Sequence, residues 1–216
     1  MSGRPLGRKA DARDPLRVGI LVSGRGSNME AIIRAAQQGA IPVRPVLVLS
    51  DRPGAPALER AGRLGVPAVA IDYRAASSPD AYHAELDRKL REAGVEVVAL
   101  AGYMRILSSW FVERFADRVL NIHPSLLPAF PGLRPHEQAI AHGVKRSGAT
   151  VHLVDEGVDS GPIILQEAVE VRDDDTPETL AQRILAVEHV LYPQALALMA
   201  SGRLRLVGRR VVQAEE

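Results

Sequence analysis

Short apolar runs alternate with amphipathic segments along most of the chain. Arg17 to Val22 is an apolar run of strand length, and the glycine-rich stretch Ser23 to Asn28 follows it at once. Met29 to Gln38 then carries Met29, Ile32, Ile33 and Ala36 at helical spacing. Pro45 to Ser50 predicts a second strand, Asp51 to Gly54 a turn, Ala57 to Gly65 a helix stopped by glycine, and Val66 to Ile71 a third strand. Pro79 to Ala93 predicts a helix with proline at its start and Gly94 at its stop, and Val95 to Ala101 a fourth strand. Strands alternating with helices in this way imply βαβ units. The expected fold class is α/β, a Rossmann-like doubly wound, mainly parallel sheet.

The second half changes rhythm. Ser108 is placed to cap a short amphipathic helix over Trp110 to Phe115, and Val119-Leu120 reads as the end of a strand. A proline-punctuated loop follows, Asn121 to Gly132, and then a helical stretch, Leu133 to His142. Gly148 to Val154 alternates, and Pro162 to Val171 returns after an acidic loop, which predicts an antiparallel C-terminal hairpin addition to the sheet. Thr176 to Met199 is the longest predicted helix, and Leu204 to Gln213 reads as a terminal hairpin or frayed strand pair. Residues 1–15 are polar with alternating charge and are expected to be a disordered N-terminal tail. Residues 16–216 are expected to form a single domain.

Composition narrows the function classes. The chain has 216 residues, 46% hydrophobic and 25% charged, with a net charge of +1, so nothing global points to nucleic acid or an anionic membrane. Lys9, Lys89 and Lys145 are the only lysines, and the remaining basic residues are arginines. There is no cysteine, which removes disulfides, thiolate metal sites and a cysteine nucleophile. No apolar run reaches the roughly 20 residues of a spanning helix, and the first residues lack a signal-peptide core, so a cytoplasmic location is expected.

Three loops that follow predicted strands hold the candidate chemistry, where ligands of such sheets sit. Ser23 to Asn28 joins a strand to a helix and can offer backbone N–H groups to a phosphate, with Ser27 and Asn28 adding donors or capping the helix. It is neither a Walker A loop nor a full Gly-x-Gly-x-x-Gly, and a tight βα turn explains its glycines equally well. In Gly102 to Ser108, the residues Met104, Ile106 and Leu107 suit either plain core or the wall of an aromatic ligand site. In the third loop Asn121 and His123 are two apart and share a face, with Ile122 turned to the core. An amide donor and an imidazole there can stabilise an oxyanion and move a proton, or can simply cap a turn. The acidic run Asp173 to Asp175 precedes a helix start and favours the helix dipole over a metal. His83, His136, His142 and His189 read as packing or surface histidines. His152 alternates on the strand leading to Asp159 and can line the site, although a satisfied strand histidine is the simpler reading.

Asn121-Ile-His-Pro-Ser-Leu-Leu-Pro128, preceded by Leu100-Ala-Gly-Tyr-Met-Arg-Ile-Leu107 and followed by Asp155-Glu-Gly-Val-Asp-Ser-Gly-Pro162, resembles the phosphoribosylglycinamide formyltransferase family. The resemblance runs from about Val18 to Gly202. It implies transfer of a formyl group from 10-formyltetrahydrofolate to the amine of glycinamide ribonucleotide in purine synthesis. It implies catalytic roles for Asn121, His123 and Asp159, and a ribonucleotide phosphate loop at Gly26, Ser27 and Asn28, with Glu188 on the ribose. It implies folate contacts from Met104, Arg105, Ile106 and Leu107 and from the loop Asp155, Glu156, Gly157 and Val158. Some members place a folate-contacting arginine just before the helix at Ala81-Tyr82; this chain has Pro79 there, with Arg74 nearby, and that contact is not carried over.

The chemistry implied fits the residues. An amine attacking a formyl group passes through a tetrahedral anion, which Asn121 and a protonated His123 can stabilise while Asp159 orients the imidazole. Small-molecule substrates, no metal, no nucleic acid and no membrane are expected, in a monomer or homodimer. Three other readings share parts of the pattern. A formyltetrahydrofolate deformylase has a similar core, usually behind an additional regulatory domain. A methionyl-tRNA formyltransferase carries a further RNA-binding domain. A non-catalytic folate or nucleotide binder does not call for the Asn121, His123 and Asp159 set.

Overall fold

The computed structural model describes residues 3–214. Residues 1, 2, 215 and 216, at the ends of the expected tail and domain, lie outside the described residues. The elements run β1 (Arg4–Leu6), β2 (Leu16–Val22), α1 (Ser27–Gln37), β3 (Val43–Ser50), α2 (Pro56–Arg63), β4 (Ala68–Ala70), α3 (Pro79–Glu92) and β5 (Val97–Leu100). They continue with α4 (Ser109–Arg114), β6 (Val119–His123), α5 (Pro135–Ala141), β7 (Arg146–Leu153), β8 (Ile163–Glu170), α6 (Pro177–Ala200), β9 (Leu204–Val207) and β10 (Arg210–Gln213).

The main sheet has seven strands in the order β4-β3-β2-β5-β6-β7-β8. Its first five strands are mutually parallel, while β7 runs antiparallel to β6 and β8 antiparallel to β7. This is the expected doubly wound sheet with its antiparallel hairpin. The chain moves outward from β2 to β4 and then returns to the other side of β2 as β5. The crevice at this reversal opens beyond the carboxyl ends of β2, β5 and β6, where the three candidate loops leave the sheet.

Strand alternation feeds two cores. Val18, Ile20 and Val22 of β2 pack with Met29, Ile32 and Ile33 of α1 and with Leu180, Ile184 and Leu196 of α6. Leu21 faces the other way, toward Leu86 and Leu90 of α3 and Phe111 of α4. Both faces of the sheet are therefore covered, which explains why its strands read as continuous apolar runs. Tyr192 of α6 is fully buried, and its hydroxyl sits 3.1 Å from the Leu100 carbonyl and 2.9 Å from the Leu120 carbonyl. The long helix is thereby pinned across the ends of β5 and β6. Asp175 caps the turn before α6 and pairs with Arg183, and Asp173 pairs with Lys145, as suits a helix start.

Three expectations need correction. The N-terminal segment is not a disordered tail over its described length: Arg4–Leu6 pairs with β9, and Arg8 ion-pairs with Asp14 and Glu96. β1, β9 and β10 form a separate antiparallel sheet. Neither Ser27 nor Asn28 caps α1, because Gly26 takes the cap position with φ 74° and no side chain accepts there. The helix expected from Leu133 starts at Pro135, since Arg134 adopts a left-handed φ of 54° and Leu133 projects outward.

Candidate active site

β6 delivers Asn121 and His123 to the same face, with Ile122 packed in the core behind them. The antiparallel register with β7 sets His152 opposite Asn121 and Thr150 opposite His123. The loop after His123 is tied down by its own chain. Thr150 Oγ1 donates to the Ser125 carbonyl at 2.7 Å and accepts from Leu127 N–H at 3.1 Å, while Ser125 Oγ donates to the Ala129 carbonyl at 2.6 Å. Prolines and these local bonds replace helix or ladder bonds over the segment.

Asp159 enters from the β7–β8 loop in a left-handed conformation, φ 51°. Its Oδ2 lies 3.1 Å from His123 Nδ1 and accepts from Gly132 N–H at 2.8 Å. Its Oδ1 accepts from Asn121 Nδ2 at 3.2 Å and lies 3.6 Å from His152 Nε2. Burial alone pushes this carboxyl up, but the Gly132 N–H and His123 outweigh it and hold Asp159 below the usual carboxylate range. His123 Nε2 faces the Phe130 carbonyl at 2.8 Å, so both ring nitrogens point at oxygens. A doubly protonated ring donates to both, and a neutral ring leaves one oxygen without its donor.

His152 belongs to this group more closely than its place in a strand suggests. Its Nδ1 is 2.8 Å from the Leu153 carbonyl, which makes Nδ1 the donor and leaves Nε2 to accept from Asn121 Nδ2 at 3.2 Å. The amide of Asn121 thus divides its two N–H groups between Asp159 and His152.

Asn121, His123, His152 and Asp159 line a cavity of about 320 Å³. Its walls include Met104 to Leu107 on one side and Asp155 to Val158 on another. Met104 is 61% and Ile106 78% exposed, which sets both apart from plain core. Large apolar side chains standing free around a polar floor suit a flat ligand with a polar reacting end. Asp155 holds its loop closed by accepting from Ser160 Oγ at 2.6 Å and Gly157 N–H at 3.1 Å. Leu133, Arg134 and Pro135 also line the cavity, a contribution the sequence pattern did not reveal. Among the described residues, no group of three or more His, Cys, Asp or Glu side chains is placed to hold a metal ion.

Gly26, Ser27, Asn28 and Glu188 form a second group outside that lining. Asn28 Nδ2 donates to Glu188 Oε2 at 2.7 Å, and both side chains are buried. Burial raises the Glu188 carboxyl to about 7, against the Asn28 bond, which lowers it. Asn28 Oδ1 has no hydrogen-bond partner among the described residues. The glycine loop touches the cavity wall directly, since Ser23 N–H donates to the Gly102 carbonyl at 3.2 Å and Ser23 Oγ accepts from Met104 N–H at 2.9 Å. The glycine loop and the cavity wall are thus joined at Ser23. No helix among the described residues is long and apolar enough to cross a membrane.

Comparison with known proteins gives a consistent neighbourhood. A family model described as formyl transferase matches residues 16–196. The trifunctional purine biosynthetic protein adenosine-3 of Drosophila pseudoobscura pseudoobscura is 50% identical over 193 residues, which cover 88% of this chain and 14% of that protein. The chain thus spans about one seventh of the length of that relative. The phosphoribosylglycinamide formyltransferase of Escherichia coli (strain K12) is 40% identical over 191 residues, covering 88% of this chain and 90% of that one. The crystal structure of glycinamide ribonucleotide transformylase 1 from Symbiobacterium toebii superposes with a TM-score of 0.91 at 51% identity, over 93% of this chain and 95% of that one.

Proposed function

The chain belongs to the formyl transferase family, and from that premise we propose that it transfers the formyl group of 10-formyltetrahydrofolate to the amine of 5-phosphoribosylglycinamide, a step of purine biosynthesis. The products are formylglycinamide ribonucleotide and tetrahydrofolate. The observation that carries this reading is the convergence of Asn121, His123 and Asp159 on the floor of one cavity with free apolar walls.

The roles follow from charge. The amine attacks the formyl carbon, the carbonyl oxygen becomes an anion, and the folate nitrogen leaves with the C–N electrons. Asn121 and protonated His123 supply donors where that oxygen charge develops, for which one Asn121 N–H and the His123 Nε2–H, now at the Phe130 carbonyl, exchange their present acceptors for the formyl oxygen. Asp159 fixes the imidazole, and the pair passes the amine's proton on to the departing nitrogen. Met104, Ile106, Leu107 and Val158 enclose the folate ring, with Arg105, Asp155, Glu156 and Gly157 completing that wall. Gly26, Ser27 and Asn28 present the α1 N-terminus to the ribonucleotide phosphate, and Glu188 meets the ribose. In this reading residues 16–216 work as one domain, as a monomer or homodimer, in the cytoplasm, on small molecules alone.

The test is an assay of purified protein with 10-formyltetrahydrofolate, with and without the ribonucleotide, following tetrahydrofolate release. Release that requires the ribonucleotide is the expected result. Release without it marks a deformylase, and binding without release marks a non-catalytic module.

A further inference from the structure

Asp51 begins the turn after β3, and its side chain is completely buried, 0% exposed. A buried carboxylate is costly unless a cation answers it. Here the answer is Arg105, whose Nε–H donates to Asp51 Oδ2 at 2.8 Å. Arg52 Nε is farther, 3.7 Å, and Asp51 Oδ1 has no hydrogen-bond partner among the described residues.

Arg105 is gripped a second time. Its guanidinium carbon lies 4.1 Å from the centre of the Tyr73 ring. Tyr73 stands edge-on to Tyr82 at 5.0 Å, and the Tyr82 hydroxyl is 2.7 Å from the hydroxyl of Tyr103. The cavity-lining loop is thus anchored through Tyr103 and Arg105 to side chains of the β3 and α3 side. Arg105 itself lines the cavity, and among the described residues no hydrogen bond engages its Nη1 or Nη2. An arginine held at Nε and stacked on a ring keeps its planar fork pre-set, so less side-chain freedom is lost when an anion binds.

We infer that Asp51 is a positioning residue for the cosubstrate: through Arg105 it holds a guanidinium fork ready for a carboxylate-bearing folate at the cavity wall. The inference rests on the folate reading of this cavity. Asp51 touches no substrate, and its effect runs entirely through Arg105.

The experiment measures Kd for tetrahydrofolate and for the ribonucleotide by calorimetric titration, so that no turnover is needed, in wild type, Asp51→Asn, Arg105→Ala and the double variant. Asp51→Asn is expected to weaken folate binding about tenfold, less than removing a buried charge that touches the ligand directly, because Asp51 acts only through Arg105, and to leave ribonucleotide binding within about twofold. In the Arg105→Ala background the same change is expected to add less than about twofold, because the residue through which Asp51 acts is gone. An unchanged folate Kd in Asp51→Asn overturns the inference, as does a loss that persists undiminished in the Arg105→Ala background. Should Asp51→Asn fail to fold, Asp51→Glu keeps the charge but displaces the fork, and is read by the same outcomes. Wild-type protein that binds no folate overturns the reading of the cavity itself, and this role with it.

Discussion

His123 and Asp159 meet Nδ1 to Oδ2 at 3.1 Å, although one leaves the end of a strand and the other sits in a loop at φ 51°. A non-glycine residue in that region persists only where its surroundings hold it. The bonds to Gly132 and Asn121 are what hold it here. His123→Ala and Asp159→Asn are each expected to lower kcat by about 10²–10³ with little change in KM. Steady-state kinetics on variants with wild-type circular dichroism check this, and a near-normal kcat removes the residue from the mechanism. Asp159 also has a sign in stability. Its carboxyl is held below the usual range, so its contribution is present above about pH 4 and is lost as pH falls through the folded value.

Gly26 is the position where the glycine loop cannot change. Its φ is 74°, and a Cβ there would lie 2.6 Å from the Cβ of Ala57. The left-handed conformation alone costs a non-glycine residue about 1–2 kcal/mol, and the contact with α2 adds to it. Gly26→Ala is expected to lose roughly 2 kcal/mol or more on that basis, read from urea unfolding. It is also expected to raise KM for the ribonucleotide well above its effect on KM for the folate, because the exposed N–H groups of α1 must shift.

Glu188 gives a pH signature of the second group. Its folded carboxyl keeps its proton to about 7, against an ordinary 4.5. The folded state therefore binds the extra proton between these values. The stability Glu188 contributes is complete below about 4.5 and is lost as pH rises through about 7. The change amounts to something on the order of 3 kcal/mol. Urea unfolding at pH 5 and pH 8 is expected to show wild type losing about this much relative to Glu188→Gln. Parallel curves would mean that Asn28 and its surroundings compensate the charge fully.

The legible parts of the molecule are those written in local pattern. The two-residue period of β6 already places Asn121 and His123 together, and the order of strands and helices yields the sheet. What stayed hidden depends on pairings between distant segments. His152 reaches the site through the β6–β7 register, which sets it opposite Asn121; alternation along β7 puts it on the right face but cannot name its partner. Arg105 finds Asp51 across 54 residues of sequence, with no periodicity linking them. The cap of α1 is not legible because Ser27 and Asn28 are good cap residues in general, whereas the left-handed turn at Gly26 puts the cap one position before Ser27 and two before Asn28.

The N-terminal strand is the least legible element and yields the last prediction. β1 is three residues long, Arg4–Leu6, with a proline at its centre and one apolar side chain. Nothing in so short a polar stretch signals a strand. Its partner, β9, lies nearly at the other end of the chain, where Leu6 pairs opposite Leu204. Leu6 is 1% exposed and joins the core that includes Met199 and Leu204. Arg8 reaches past it to Glu96, which also accepts the Arg17 N–H at 2.9 Å. Burying a leucine is worth about 1.5–3 kcal/mol, and the ion pair, with both partners about a third exposed, adds at most about 1 kcal/mol. Removal of residues 1–9 is therefore expected to lower unfolding stability by roughly 3 kcal/mol. Leu6→Ala alone should account for most of that loss. Formyl transfer at 25 °C should survive both changes, because none of the described residues of this segment lines the cavity. Thermal unfolding of the truncated protein decides the matter: an unchanged midpoint would return these residues to the role of a tail.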